Sequence, residues 1–190
     1  MEFIKGVTLL DFITENRLLA PKITLHISLK IASALDYALQ EGIIHRDLKP
    51  ENVLIDKQAG LIKIADFGLG KKLVEQGITL SGRTMRTLFY MPLEQVRDSK
   101  KVDHRADIYG LGATMYHMLT GRPPFSEYKG KLAIARAIMM DEPMPIEEYA
   151  PGVPDALVKI VEKSMAKKSE ERYQVPKEII KDIYKVLKKL

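Results

Sequence analysis

Apolar residues recur at helical spacing near the start of the chain. The set is Ile23, Ile27, Ile31, Leu35 and Ala38, and its spacing places all five on one face of a helix. A glycine at position 42 follows them, as is common just past a helix end. The pattern therefore predicts a helix over residues 22–40.

The pattern then changes to two short β-rich runs. Val53–Ile55 and Leu61–Ile64 flank the sequence DKQAG, and this arrangement predicts a small hairpin. Residues 69–101 mix glycine, serine, threonine and charged residues without a clear period. We predict a long ordered loop there, and loops of this length are usually functional.

The second half of the chain is dominated by helical patterns. Residues 103–120 are apolar on nearly every side, which predicts a buried helix. Asp103 is placed to cap its start, and Gly121, followed by two prolines, ends it. Three further helices are predicted at 129–140, 154–167 and 176–189, with Pro154 in the first turn of the second. The whole is a mainly α domain with a small β element.

Composition and charge narrow the class of protein. The 190 residues are 46% hydrophobic, enough for one core. There is no apolar run of about 18 residues that could span a membrane, and the N-terminus lacks a secretory pattern. The absence of cysteine suits a reducing compartment. We expect a cytoplasmic protein with no membrane segment.

The net charge of +5 is not an argument for nucleic-acid binding. Much of the excess lies on one face of the last predicted helix, opposite its apolar residues. No aromatic residues interleave with these lysines as base stacking requires, so we expect no nucleic-acid partner. The two faces are Lys177, Lys181 and Lys185 against Ile179, Ile183 and Leu187.

Two polar motifs carry the chemistry. Residues 45–52 are HRDLKPEN, and they lead through VLI and the predicted hairpin into IADFGL, in which residues 66–68 are DFG. In this order and spacing the motifs resemble the C-terminal lobe of eukaryotic-type (Hanks-type) serine/threonine protein kinases. The resemblance divides the chain into a hinge (1–6), a catalytic loop (45–52), an activation segment (66–94) and a helical remainder (103–190).

The resemblance implies roles for individual residues in phosphoryl transfer from ATP. Asp47 would accept the proton of the substrate hydroxyl, and Lys49 would contact the transferred phosphate. Asn52 and Asp66 would bind Mg²⁺ through hard oxygen ligands. The remaining implied positions are Thr8 near the ribose, Leu9 and Leu54 beneath the adenine, and His45, Phe67 and Gly68 in supporting roles.

Other implied positions concern the protein substrate and its regulation. Lys49 and Thr87 match the serine/threonine class of the family, and Glu51 is a candidate for binding a basic substrate side chain. It is equally explained as an ordinary exposed glutamate. Arg46 resembles the arginine that pairs with an activation-loop phosphate. Candidate phosphorylation sites are Thr79, Ser81 and Thr84.

Three further residues resemble structural positions of the family. Asp107 lies inside the most apolar helix, where a carboxylate must be hydrogen-bonded or paired. In the family this aspartate accepts bonds from the catalytic-loop backbone. Glu94 and Arg172 resemble a buried ion pair, and two solvated surface charges are the alternative.

The sequence also departs from the family pattern. Arg86 precedes Thr87 where glycine is usual, and Pro92-Leu93-Glu94 replaces Ala-Pro-Glu, which predicts a reshaped substrate loop. No G-x-G-x-x-G phosphate loop occurs in the 190 residues, so the β-rich N-terminal lobe is expected on a longer or separate chain. The alternatives are a truncated, non-catalytic kinase module that binds partner proteins and a small-molecule kinase of related fold.

Overall fold

The computed structural model describes residues 6–67, 84–97 and 102–190. These residues form a mostly helical domain with one small sheet. In chain order the elements are β1 (Val7–Thr8), α1 (Leu9–Asn16), α2 (Pro21–Gln40), a 3₁₀ turn (Pro50–Asn52), β2 (Val53–Asp56), β3 (Leu61–Ile64), α3 (Met85–Leu88), α4 (Leu93–Arg97), α5 (Arg105–Thr120), α6 (Lys131–Met140), α7 (Ile146–Tyr149), α8 (Asp155–Ser164), a second 3₁₀ turn (Ser169–Glu171) and α9 (Pro176–Leu187).

Helix α2 confirms the first predicted helix. Pro21 occupies its first turn, where the missing N–H costs no helical bond. Four residues of its apolar set, Ile27, Ile31, Leu35 and Ala38, are buried, and the helix packs against α5 and α9. Ile23, near the start of the helix, is 45% exposed. The helix therefore forms one wall of the main core.

Helix α5 runs through the centre of the domain. All but its first residue are buried, as its all-round apolar pattern predicts. It ends at Gly121, whose φ of 70° is the left-handed conformation that glycine adopts without strain. His104 occupies the N-cap position but makes no side-chain cap bond. Asp103, one residue earlier, caps the start with its side chain, since its Oδ1 accepts from the Arg105 N–H at 2.9 Å.

The predicted hairpin is confirmed as β2 and β3, but it belongs to a three-stranded antiparallel sheet of order β1-β2-β3. Strand β1 and helix α1 were not predicted. A capping box starts α1, since the Thr8 hydroxyl accepts from the Asp11 N–H while the Asp11 carboxylate accepts from the Thr8 N–H. An eight-residue helix is too short for its spacing to stand out in the sequence.

The prediction of a loop over 69–101 is wrong for residues 84–97, where α3 and α4 form. Each has at most five residues, so neither produces a helical period in the sequence. Thr84 caps α3, and the Pro92 carbonyl accepts from the Gln95 and Val96 N–H groups at the start of α4. The side-chain cap of α3 and the backbone bonds that start α4 are local features that hydrophobic periodicity does not detect.

The remaining helices confirm the sequence pattern with shifted ends. Helix α6 begins two residues later than predicted, α8 spans Asp155–Ser164 with Pro154 just before it, and α9 ends at Leu187. Ile179 and Ile183 of α9 are fully buried, and the three lysines opposite them are exposed. The short α7 was not predicted. Across the part of the chain that the structure describes, no helix has the length and apolar character needed to cross a membrane.

Two hydrophobic clusters stabilise the domain. The larger joins α1, α2, α5, α8 and α9. The smaller packs Leu88 and Met91, around α3, against Phe125 and Ile134 near α6. Residues 84–97 are therefore anchored to the helical body by their own apolar contacts.

Candidate active site

A buried carboxylate fixes the start of the catalytic loop. Asp107 lies in the first turn of α5, where its Oδ2 accepts from the His45 N–H at 2.8 Å and its Oδ1 from the Arg46 N–H at 2.7 Å. Burial raises the pKa of Asp107, while these two backbone bonds oppose the rise. Helix α5 and the loop also pack closely at Gly110, where a Cβ would lie 2.8 Å from the Leu48 carbonyl oxygen. Helix α5 thus serves as the platform for the loop.

Arg46 has a strained backbone that two side chains hold in place. Its φ is 65°, a conformation that costs a non-glycine residue roughly 1–3 kcal/mol. Asp107 binds its N–H, and the Gln95 Nε2 donates to its carbonyl oxygen at 2.7 Å. Sequence reasoning missed Gln95, which is buried in α4. The only signal was its place directly after Glu94 in the reshaped PLEQ segment.

His45 connects the catalytic loop to the strand that precedes DFG. Its Nδ1 accepts from the Asp47 N–H at 3.2 Å, which assigns the proton to Nε2, 2.8 Å from the Ala65 carbonyl oxygen. The Phe67 ring meets the fully buried imidazole edge-on, with centroids 4.8 Å apart. The two motifs are therefore held together through a buried histidine.

Asp47 and Lys49 form the polar centre of the site. The Lys49 Nζ donates to Asp47 Oδ2 at 2.9 Å and to Thr87 Oγ1 at 3.1 Å. Both charged side chains are largely buried, with 16% and 17% of their surface exposed. An ammonium carries three donors, so the third N–H of Lys49 is left for another acceptor. The geometry thus joins a carboxylate, a cation and the Thr87 hydroxyl at one point.

Asn52 and Asp66 lie beside this centre and suit a hard cation. The Asn52 Nδ2 donates to the Asp47 carbonyl oxygen at 2.8 Å, so the amide turns its Oδ1 to the other side. The Ala65 N–H donates to the Asn52 carbonyl oxygen at 2.7 Å, which places the exposed Asp66 next to it. Asp66 also adopts a left-handed φ of 62°.

Residues 6–67, 84–97 and 102–190 contain no preformed group of three His, Asp or Glu side chains around a metal site. One carboxylate and one amide oxygen nevertheless fit Mg²⁺, which usually retains waters and phosphate oxygens as its other ligands. The residues present therefore fit the ion that the resemblance implies, and Asn52 and Asp66 are the side chains that would hold it.

Three residues, Thr8, Leu9 and Leu54, were expected to line one side of a nucleotide pocket, and the structure does not support this for all of them. Thr8 and Leu54 face each other across the β1–β2 ladder, and both are partly exposed. Leu9 has no exposed surface and lies in the main core, so the expectation of Leu9 beneath an adenine ring is wrong. It starts α1, and its side chain points inward. The Thr8 hydroxyl already donates to Asp11 Oδ2 at 2.6 Å.

Glu51 faces a cleft next to the catalytic loop. The cleft, of about 260 Å³, is lined by Glu51, Arg86, Tyr90 and His117 among others. Within the described residues the Glu51 Oε2 is buried without a hydrogen-bond partner. Burial, followed by the negative charge of Glu51, raises the pKa of Tyr90, and the Tyr90 hydroxyl pairs with His117 Nδ1 at 2.7 Å. The Tyr90 hydroxyl therefore does not reach Glu51, whose buried Oε2 has no hydrogen-bond partner among the described residues.

Glu94 and Arg172 form a bidentate ion pair. The distances are 2.7 Å from Nη1 to Oε1 and 2.9 Å from Nη2 to Oε2. The Arg172 side chain has no exposed surface and the Glu94 side chain 29%, which excludes two solvated surface charges. The shifted Pro92 does not disturb the pair, because proline at the start of α4 lacks only an N–H that the helix does not use.

Some implied positions cannot be placed. Gly68, Thr79 and Ser81 lie outside the described residues, as does most of the hinge (1–6). Thr84 is described and contributes to the site: its Oγ1 lies 3.0 Å from Thr87 Oγ1.

Helix α5, the loop over residues 45–52 and the segment that leads into Asp66 are joined by the hydrogen bonds of Asp107, His45 and Asn52. The protein kinase domain family matches residues 1–185, and the chain belongs to that family, in its Hanks-type serine/threonine branch.

Several bacterial proteins named as serine/threonine-protein kinases are similar to this chain. The chain is 38% identical over 185 residues to a probable serine/threonine-protein kinase PknB of Bifidobacterium longum, covering 96% of this chain and 26% of the relative. It is 35% identical over 188 residues to the serine/threonine-protein kinase PknB of Mycolicibacterium smegmatis, covering 98% and 30%. A probable serine/threonine-protein kinase of Clostridium perfringens is 35% identical over 188 residues, covering 99% and 27%. The chain spans between about a quarter and a third of these relatives' lengths.

Proposed function

We propose that this chain is the catalytic, C-terminal lobe of a serine/threonine protein kinase, transferring the γ-phosphoryl group of Mg-ATP to a protein hydroxyl. The observation that carries the proposal is the contact of Lys49 with both Asp47 and Thr87. A purely structural loop has no need to hold a lysine, a carboxylate and a hydroxyl together largely out of water, where charges are costly.

In the proposed reaction Asp47 orients the substrate hydroxyl and accepts its proton. Lys49 keeps Asp47 in place with one N–H and offers its third N–H to the transferred phosphoryl group. When bound, Mg²⁺ neutralises charge on the phosphates, and Asn52 Oδ1 and the Asp66 carboxylate would hold it. Positioning and electrostatics of this kind supply most of the catalysis in phosphoryl transfer.

The substrate is proposed to be a protein with serine or threonine at the reacting position. The unpartnered Glu51 oxygen in its cleft suits a basic substrate side chain, because a buried carboxylate is stabilised by an opposite charge. Arg46 is proposed to pair with a phosphate on Thr79 or Ser81. Use of ATP and the absence of cysteine favour the cytoplasm.

A complete ATP site also needs residues that contact the opposite side of the nucleotide. Thr8 and Leu54 supply a floor, and the 190 residues contain no glycine-rich phosphate loop. We propose that a β-rich N-terminal lobe, on a longer or separate chain, completes the ATP site over this floor.

Titration of Mg-ATP into the full-length protein tests the proposal. We expect saturable binding that depends on Mg²⁺ and that Asp66→Asn weakens at least about tenfold, since the variant loses a charged ligand of the ion. Ser33→Ala, on the exposed side of α2, serves as the control. Absence of saturation at millimolar nucleotide would contradict the enzyme and favour a non-catalytic module that binds partner proteins.

A further inference from the structure

The hydroxyl of Thr84 extends the hydrogen-bonded chain that begins at the catalytic loop. Lys49 Nζ lies 3.1 Å from Thr87 Oγ1, which in turn lies 3.0 Å from Thr84 Oγ1. Lysine only donates, so Thr87 accepts from Lys49. Whether Thr87 then donates to Thr84 or accepts a second bond from it, the contact fixes the orientation of the Thr87 hydroxyl.

Thr84 also determines where Thr87 lies along the backbone. It is the N-cap of α3, and its Oγ1 accepts from the Thr87 N–H at 3.4 Å while its carbonyl oxygen accepts the same N–H at 3.2 Å. A single helical turn is unstable alone because its few bonds do not offset the cost of nucleation. A capping side chain is therefore a large part of what holds α3 together.

The opposite end of α3 is fixed independently. Leu88 is fully buried in the smaller hydrophobic cluster, and the Met91 N–H donates to its carbonyl oxygen at 3.1 Å. Thr87 is 7% exposed and lies between this anchor and the Thr84 cap. Loss of the cap would free the half of the helix that faces Lys49 and leave the Leu88 half in place.

We infer that Thr84 is a positioning residue for phosphoryl transfer, which acts through Thr87 on Lys49. This inference rests on the proposed function. It gives Thr84 a role that Thr79 and Ser81 are not proposed to have, because the Thr84 hydroxyl oxygen lies 3.0 Å from Thr87 Oγ1 and accepts from the Thr87 N–H at 3.4 Å.

Four variants of the full-length protein test the inference through kcat and KM for ATP. Thr84→Val keeps the shape of the side chain and removes only the hydroxyl, so kcat is expected to fall roughly tenfold, the worth of about one hydrogen bond, with KM for ATP within about threefold. Thr84→Ser restores the hydroxyl and is expected to recover most of kcat. Thr84→Glu is expected to behave like the valine variant, and Ser33→Ala is the control.

The outcomes separate the possible failures. An unchanged kcat in Thr84→Val, or a Thr84→Glu variant as active as the parent, would overturn the positioning role. A fall in kcat that Thr84→Ser does not reverse would also overturn it. If the parent protein itself transfers no phosphate, the proposed function fails. If the parent is active and the Thr84 variants have the same kcat as the parent, only the inference about Thr84 fails.

Discussion

Replacement of Arg172 by alanine tests the packing that joins the activation segment to the helical body. Arg172 is fully buried and donates to both oxygens of Glu94 and to the carbonyl oxygens of Arg105, Ala166 and Lys167. Its guanidinium also lies 5.1 Å from the centroid of the Tyr109 ring. The substitution removes all of these contacts together.

The cost follows from what the substitution leaves behind. Breaking a buried ion pair typically costs about 3–5 kcal/mol, but Glu94 is partly exposed and regains some hydration, which lowers its share. The three carbonyl oxygens that lose a donor add roughly 1 kcal/mol each where water does not replace it. We therefore expect Arg172→Ala to lose about 3–5 kcal/mol of unfolding free energy, or roughly 6–20 °C in Tm for a domain of this size.

Urea unfolding followed by circular dichroism measures this loss. Arg122→Ala is the matched control, because Arg122 is exposed and its guanidinium lies over the Tyr149 ring, 5.2 Å from the centroid, a contact worth about 0.5–1 kcal/mol. The bonds between the Arg122 backbone and Thr120 are kept in the variant. If Arg172→Ala loses no more stability than Arg122→Ala, the buried pair does not join the segment to the body and the argument fails.

Two further predictions concern the cleft and the platform helix. Burial lowers the pKa of His117 to about 4, so the unfolded chain binds this proton more readily than the folded one. The stability from neutral His117 is complete above about pH 6.5 and is lost, by about 3 kcal/mol, as the pH falls toward 4. The side chain of His117→Gln can still hydrogen-bond with Tyr90 but does not titrate, so we expect its urea unfolding midpoint to change less between those pH values than that of the parent. If the midpoints of both proteins change equally with pH, the loss of stability comes from other titrating groups. Gly110→Ala would place a Cβ 2.8 Å from the Leu48 carbonyl oxygen, so we expect a loss of about 1–3 kcal/mol and a lower rate of phosphoryl transfer per folded molecule. Gly112→Ala, whose Cβ would meet Ser164 and Met165 at 2.7 and 2.9 Å, should lose stability with little change in that rate, and equal rates in both variants would show that α5 does not position the loop.

The sequence predicted the parts of the fold with strong periodicity. Helix α2 and the buried α5 follow directly from their apolar spacing, as does the β2–β3 hairpin. Helices α1, α3, α4 and α7 have at most eight residues, too few to produce a clear helical period, and side-chain caps start α1 and α3. The loop predicted over 69–101 was wrong at 84–97 for this reason.

The candidate site was predictable where residue types are specific to the chemistry. HRDLKPEN and DFG made Asp47, Lys49, Asn52 and Asp66 the candidate residues, which stays a prediction, and the structure brings these segments together through His45 and Ala65. The prediction for Leu9 was wrong because a hydrophobic residue next to a strand can equally line a ligand pocket or pack in the core. Gln95 was not predictable, since its bond to Arg46 depends on a tertiary contact that no local pattern encodes.

The most direct test of the central claim is the transfer of labelled γ-phosphate from Mg-ATP to serine- or threonine-containing protein by the full-length protein and its Asp47→Asn variant. The variant keeps the size of Asp47 but loses the carboxylate that accepts the proton. At equal folding stability we expect its rate to fall about 10²–10⁴-fold, with label on serine or threonine only. An equal rate in the variant would contradict the assignment of Asp47 and of the surrounding site to phosphoryl transfer.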